Sequence, residues 1–426
     1  MSTIEFQMIP FTELLTKIVD NRGKTCPTST SGIPLIATNC ITNDTLYPVY
    51  EKVRYVSEET LDTWFRGHPE PDDIIITTKG TPGRVCMVPN PVDFCIAQDM
   101  VAVRADKTKI EPRYLFAILR SRNVQTQIEN MHVGTLIPHF KKGDFDKLLI
   151  PVPNLAIQRL IGDQYFSQSA KIELNRRMNA TLEAMARALF KSWFVDFDPV
   201  RAKMEGRQPA GMDAATAALF PDSFEDSPLG TIPKGWQAGK FGDIASPKRD
   251  GIKPTDISPT TPYIGLEHMP RCSISLTDWG NASDVASGKS SFSTGDFLFG
   301  KLRPYFHKVG VAPVDGVCST DIVVVTPKKP EWYGITLCYL SSDEFVQYTD
   351  QSSSGTKMPR TNWQDMARYG IVIPPAALAQ EFHRLIGPFI SAIQADIHQS
   401  RNLIAIRDTL LPKLLSGEFA TNADNA

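Results

Sequence analysis

The sequence has no Cys-x-x-Cys pair; its 7 cysteines are scattered and no histidines stand beside them at zinc-ligand spacing. That excludes a zinc module and points to reduced thiols rather than a disulfide frame, so a cytoplasmic location is expected. No apolar run approaches the roughly 20 residues of a membrane span, and the first residues lack the basic and apolar regions of an export signal. Neither export nor membrane insertion is expected. An excess of charge of one sign is missing too: 45 Lys+Arg against 47 Asp+Glu leave a net charge of −2. Any nucleic-acid footprint therefore has to be a local basic face.

Catalytic signatures are equally scarce. Pro374-Pro375 is followed by two alanines, so the Asn/Asp-Pro-Pro-aromatic motif of a methyltransferase is absent. Residues 80–84 lack both the spacing and the Lys-Ser/Thr of a phosphate loop. Asp72 and Asp73 hint at a nuclease carboxylate pair, but residues 74–79 supply no further acid to hold a metal with them. Seven dispersed histidines define no Ser/His/Asp group. No active site, no metal site and no cofactor are expected in this chain.

What the sequence does contain is an internal repeat, shifted by about 222 positions, which decides architecture before any motif does. Gly134-Thr135, Asp144, an apolar strand closing on residues 151–153, Gln158 and a long helical segment recur as Gly355-Thr356, Asp365, a strand closing on Pro374-Pro375, Gln380 and a second such segment. Upstream the copies match only in outline: Asp73 and its isoleucines answer Asp296-Phe297-Leu298-Phe299, and Asp99 with residues 100–103 answers Asp321 with residues 322–325.

The expected fold class is α+β. Two mixed α/β heads stand in tandem, each followed by a long helix; the helices pair as an antiparallel coiled coil, and the halves are related by a pseudo-twofold. The boundaries read 1–154 for the first head, 155–195 for its helix, 196–235 for a connector with one short helix, 236–375 for the second head, 376–416 for its helix and 417–426 for a tail. In the second helix Ile386, Ile390, Ile393, Ile397, Ile404, Leu411 and Leu414 keep alternating steps of four and three, with Ser400 and Arg407 as polar exceptions. Met178, Leu182, Met185 and Leu189 place the seam of the first helix, where Gln168 and Asn175 are polar. A helix of about 37 residues rises about 55 Å, beyond the roughly 34 Å of one DNA turn.

Residues 182–206, with Trp193-Phe194 and Asp198-Pro199, then Gly230 to Trp236, and the ending Arg407 to Phe419, resemble the specificity subunit of type I restriction-modification systems, and the likeness spans nearly the whole chain. The resemblance implies a non-catalytic DNA-recognition subunit. Its heads would be target-recognition domains, each reading one half of a split duplex sequence. Two modification subunits would dock on it and methylate adenine N6 with S-adenosylmethionine; in the full nuclease, motor-restriction subunits using ATP and Mg would join. Trp193, Phe194 and Phe197 are candidates for docking, or for locking the helix end. The alternative is a coiled-coil scaffold with two protein-binding heads and no DNA role.

Small residues beside basic ones let a backbone approach DNA closely. Head one offers Thr78, Lys79 and Arg84 in one loop and His139, Lys141 and Lys142 in another. At the equivalent places head two offers Lys301, Arg303, Tyr305, His307 and Lys308, and then Lys357, Arg360 and Asn362. The equivalence of position favours DNA contact over solvated loop charge.

Overall fold

The computed structural model describes residues 6–21, 25–131, 138–248, 250–284, 287–353, 355 and 358–416. Three consecutive isoleucines, Ile74, Ile75 and Ile76, show how the first head is built. Successive side chains of a strand point to opposite faces, so a strand that is apolar at every position belongs to a sheet covered on both sides. Ile74 and Ile76 lie in a core with Phe116 and Ile118. Ile75 lies in a second core with Ile36 and Ile96.

The chain divides into two compact units, residues 1–174 with 402–426 and residues 175–401. In the first, β1 (Gln7–Pro10) precedes β2 (Leu15–Val19), β3 (Ile33–Ile36), β4 (Arg54–Val56) and helix α1 (Glu58–Trp64). Then follow β5 (Ile74–Thr77), β6 (Val85–Met87), β7 (Cys95–Ile96), β8 (Met100–Ala105), α2 (Pro112–Leu119), α3 (Arg122–Asn130), β9 (Leu149–Val152) and the start of α4 (Leu155–Phe194). The central sheet runs β2-β8-β5-β6, antiparallel throughout. A smaller sheet, β4-β3-β7, has β3 and β7 parallel. Pro112 opens α2, where its missing N–H costs nothing, and the Ser121 hydroxyl caps α3 by accepting from Val124 N.

The second unit continues with α5 (Asp198–Met204), α6 (Ala214–Ala218) and the hairpin β10 (Phe224–Ser227) and β11 (Gly230–Pro233). Residues 196–235 are thus not a connector with one helix. Val200, Phe220, Ile232 and Trp236 sink into the core of this unit, and burial of these large side chains outweighs the Pro- and Gly-rich composition of the segment. Next come β12 (Gln237–Lys240), α7 (Phe241–Ile244), β13 (Ala245–Pro247), β14 (Gly251–Ile252), β15 (Pro262–Ile264), β16 (Gly280–Asn281) and β17 (Lys289–Phe292). The unit is completed by β18 (Phe297–Gly300), β19 (Val309–Val311), β20 (Gly316–Cys318), β21 (Ile322–Pro327), α8 (Tyr333–Leu340), α9 (Asp343–Gln351), α10 (Trp363–Ala367), β22 (Gly370–Ile373) and α11 (Ala376–Ser416). The sheet β13-β21-β18-β19 has the strand order of the first unit's β2-β8-β5-β6, and β15 and β20 pair parallel as β3 and β7 do. Phe297 and Phe299 face one core and Leu298 the other.

Both long helices contribute to both units. Within the first, Ile161 and Tyr165 of α4 share a core with Leu411 of α11; the Arg407 guanidinium lies 5.2 Å from the Tyr165 ring and its Nη1 is 3.5 Å from Ser169 Oγ. Within the second, Ala186, Phe190 and Trp193 of α4 share a core with Phe382, Ile386, Ile390, Ile393 and Ile397 of α11. There Asn175 Nδ2 donates to Gln399 Oε1 at 3.0 Å and to Ser400 Oγ at 3.1 Å.

The buried face of α4 differs from the one expected. Met178 and Met185 are 41% and 45% exposed, while Asn179 and Ala186 are buried and Leu182 and Leu189 pack at the edge of the core. The heptad phase through Asn175, Leu182 and Leu189 holds, but its alternate position falls one residue later. The isoleucines and Phe382 opposite already fill the volume, so the helix presents a small alanine and a short amide there. On α11, Ile390, Ile393, Ile397 and Leu411 are buried, whereas Ile404 is 37% exposed and Arg407 takes a buried place.

Candidate nucleic-acid interface

In the first head, residues 78–84 join β5 to β6, and this loop is stitched to the segment that enters Phe140. Thr78 N donates to the Asp99 carbonyl (2.9 Å), Phe140 N to the Thr78 carbonyl (2.8 Å) and Gly80 N to the Pro138 carbonyl (3.0 Å). Lys79 and His139 form an antiparallel bridge. The second head repeats the pattern bond for bond in residues 301–308. Lys301 N donates to the Asp321 carbonyl (2.9 Å), Thr361 N to the Lys301 carbonyl (3.1 Å) and Arg303 N to the Pro359 carbonyl (2.7 Å). Leu302 and Arg360 form the bridge. The structure therefore brings together, in each head, the two loops that the sequence paired only by position.

Both loops also turn left-handed at the same two places. Gly80 has φ +79° and Gly83 φ +88°; their counterparts are Arg303 at φ +52° and His307 at φ +49°. Glycine adopts this region without penalty, whereas arginine and histidine are uncommon there.

The side chains sort into those left at the surface and those used by the fold. Lys79 and Lys141 are exposed, and His139 and Lys301 are half-buried. Tyr305 is 51% exposed, and Arg360, 53% exposed, pairs with Asp321 at 3.1 Å. Arg303 is half-buried beside Phe306, whose ring centroid lies 5.9 Å from its guanidinium.

Other expected contacts are buried or have partners within the fold. Thr78 is fully buried. Arg84 donates to the Ile41 carbonyl at 3.4 Å, and Lys142 lies 3.7 Å from Asp20. His307, 9% exposed, donates from Nε2 to the Ser341 carbonyl at 3.0 Å, and its Nδ1 lies 3.2 Å from Asp343. Lys308 donates to the Leu266 carbonyl, and burial, then the nearby Arg271 charge, lowers its pKa. Asn362 caps α10, accepting from Asp365 N at 3.1 Å. Apart from Thr78, each of these groups meets a hydrogen-bond or ionic partner inside its own head, which a charge pattern alone does not reveal. Lys357, with Gly134, Thr135 and Thr356, lies outside the described residues.

Sequence reasoning missed Arg271, whose guanidinium sits 4.1 Å from the Phe306 centroid. It lies far along the chain from both matched loops, so spacing could not have found it.

Trp193, Phe194 and Phe197, expected as docking residues, are 3%, 2% and 8% exposed. Trp193 and Phe194 pack edge-on with Phe220 and Phe382, and Phe197 with Trp236. They hold α4 against the second unit's core and present almost no surface.

Asp73 does not pair with Asp72 for metal binding. Arg104 holds it from Nε at 2.9 Å and Nη2 at 3.0 Å, and Lys248 holds its counterpart Asp296 at 3.0 Å. Burial pushes the thiols of Cys95, Cys318 and Cys338 up to about 12, so they stay protonated near neutral pH. Among the described residues no group of three or more His, Cys, Asp or Glu is placed to hold a metal, and no helix is long and apolar enough to cross a membrane.

Comparison with known proteins gives this geometry a class. The family model for the type I restriction modification DNA specificity domain matches residues 14–184. The chain is 24% identical, over 73% of its length and 70% of the relative's, to the EcoDI type I restriction enzyme specificity subunit of Escherichia coli. It is 23% identical, over 81% and 77%, to the MjaIX type I restriction enzyme specificity subunit of Methanocaldococcus jannaschii. Its fold is shared by the S subunit of a type I restriction-modification system from M. genitalium, with a TM-score of 0.53 at 14% identity and 97% of each chain covered. The chain thus carries a type I DNA specificity domain. The relatives it resembles along most of its length are specificity subunits of type I restriction enzymes.

Proposed function

We propose that each head reads one half of a bipartite duplex DNA sequence through its stitched pair of loops, and that the long helices, paired antiparallel with the halves related by a pseudo-twofold, set the unread spacer. The observation that carries this reading is the bond-for-bond equivalence of the two loop frames, combined with their different side chains. A shared frame with divergent groups suits two different short sequences. Lys79, His139 and Lys141 in head one would meet phosphates and bases, as would Lys301, Arg303, Tyr305, Arg360 and, beyond the described residues, Lys357 in head two. Lysines would position the duplex, and Arg303 and Arg360 carry the fork that reads guanine in the major groove.

Two adenine-N6 methyltransferase subunits would dock on the helices and bring S-adenosylmethionine; motor-restriction subunits with ATP and Mg would complete a nuclease. Because Trp193, Phe194 and Phe197 are buried, docking would fall to exposed helix positions such as Met178 and Met185. The test is reconstitution with the cognate modification subunit. The expected result is a complex with two copies of that subunit and sequence-selective adenine methylation; duplex binding with no salt dependence would count against it.

A further inference from the structure

Glu183 is a carboxylate buried on α4, 4% exposed. Its Oε1 accepts from Ser273 Oγ at 2.8 Å, Ser275 N at 3.1 Å and Ser275 Oγ at 2.5 Å, and its Oε2 accepts from Ile274 N at 3.2 Å. A buried anion is tolerated only when it is satisfied in this way, so the helix and residues 273–275 are held in one relation.

The next residue along, Cys272, continues the link. Its carbonyl accepts from Arg187 Nη1 of α4 at 3.5 Å, and its N–H donates to the His307 carbonyl at 2.9 Å. Arg271 then covers Phe306 at 4.1 Å. Two residues of α4 thereby reach, through residues 271–275, the turn that displays Arg303 and Tyr305. Cys272, Arg303 and His307 all have positive φ, so this turn does not hold its shape through backbone preference alone.

In the internal match the position answering Glu183 is Ala405, which offers no side-chain acceptor. Loop 78–84 is held from within its own head, where Gln125 Nε2 donates to the Gly83 carbonyl at 2.8 Å.

We propose that Glu183 is a positioning residue for DNA recognition, fixing the angle at which the 303–307 turn of head two meets its half-site. The inference rests on the reading that this turn contacts DNA. The link transmits the pose of the spacer helix to one recognition turn and not to the other.

The test uses the full complex with its modification subunits and measures methylation of duplexes carrying single-base changes in either half. Replacing residues 1–154 first shows which half belongs to which head. Glu183→Ala is expected to reduce discrimination about tenfold in the half read by head two, leave the other half unchanged, and raise KM for DNA more than it lowers kcat. Glu183→Gln, which keeps an acceptor oxygen, is expected to recover most of that loss.

Ile335→Val, a cavity in the same unit's core, controls for lost stability and is expected to leave discrimination unchanged. Equal effects on both halves, no effect, or the same loss from Ile335→Val would overturn the proposal. Arg303→Ala and Tyr305→Ala separate the two claims. If they relax head two's half while Glu183→Ala does not, the positioning role fails and the loop reading stands. If they too change nothing, the loop reading itself fails.

Discussion

The loops at residues 78–84 and 301–308 solve one backbone problem with opposite chemistry. Each must turn left-handed at both ends; head one uses Gly80 and Gly83 there, and head two uses Arg303 and His307. Head one's turn gains backbone freedom and gives up side chains at those positions. Head two's turn keeps a guanidinium at the first position and uses the imidazole at the second as an internal tie to Ser341. The same hydrogen-bond frame therefore yields a plain loop in one head and a side-chain-bearing, externally braced loop in the other.

The contrast extends to the helix contacts, where the largest effect is expected. A Cβ on Gly162 of α4 would stand 2.6 Å from Tyr114 N of α2, whereas one on Gly334 of α8 would stand 2.9 Å from Ile386 Cδ1 of α11. The matching helix pairs, α2 with α4 and α8 with α11, thus each meet over a glycine, carried by the long helix in one and by the short helix in the other. Backbone cannot yield, so overpacking of about 3 kcal/mol outweighs the roughly 1 kcal/mol gained in helix propensity. Gly162→Ala should lose about 2 kcal/mol in urea unfolding and Gly334→Ala less, because its new methyl would meet side chains, Ile386 Cδ1 and at 3.2 Å the Phe382 ring, that can shift where backbone cannot. Equal losses would erase the distinction.

Arg303→Gly is the next most informative change. Releasing the left-handed arginine should raise stability by about 1 kcal/mol while weakening selective binding to head two's half-site. The mirror change, Gly80→Ala, meets no atom within 4 Å and should cost a similar amount through φ alone. Thermal unfolding and duplex titration check both; a destabilised Arg303→Gly protein would contradict the strain reading.

A smaller effect is expected from Lys79→Ala, which should weaken binding to all duplexes alike and lower the slope of log K against log salt by about 1. The smallest concerns pH. Burial holds the His383 imidazole below its ordinary value, so the folded state binds fewer protons there than the unfolded chain. Stability from this group is fully present above the unfolded pKa of about 6.5 and is lost as pH falls from there through the lower folded pKa. The first unit has Ile161 at the matching place, so the effect should be confined to the second and abolished by His383→Leu.

The order of elements was legible because apolar periodicity and repetition survive in sequence even where identity does not. Ile74 to Ile76 and Phe297 to Phe299 read as buried strands, and the isoleucines of α11 as a buried face, from spacing alone. The phase of α4 was not legible: Met178 and Met185 carry the apolar pattern, but the smaller Ala186 and Asn179 are the residues that face inside. The fold of residues 196–235 was hidden by its prolines and glycines, although Phe220 and Trp236 were the signal that it packs. At the candidate interface the loops were legible and the individual side chains were not, because His307, Lys308 and Asn362 look like surface groups until their internal partners are seen. Glu183 carried one faint signal, a lone acid on the face between Asn179 and Ala186.

The central claim is that two independent heads each read one half of a split target. It is tested most directly by replacing residues 1–154 with the corresponding head of a type I specificity subunit and mapping methylated adenines in the reconstituted complex. The account predicts that one half of the methylated sequence changes while the other half and the spacer length stay as they were. A change in both halves, or in neither, would contradict it.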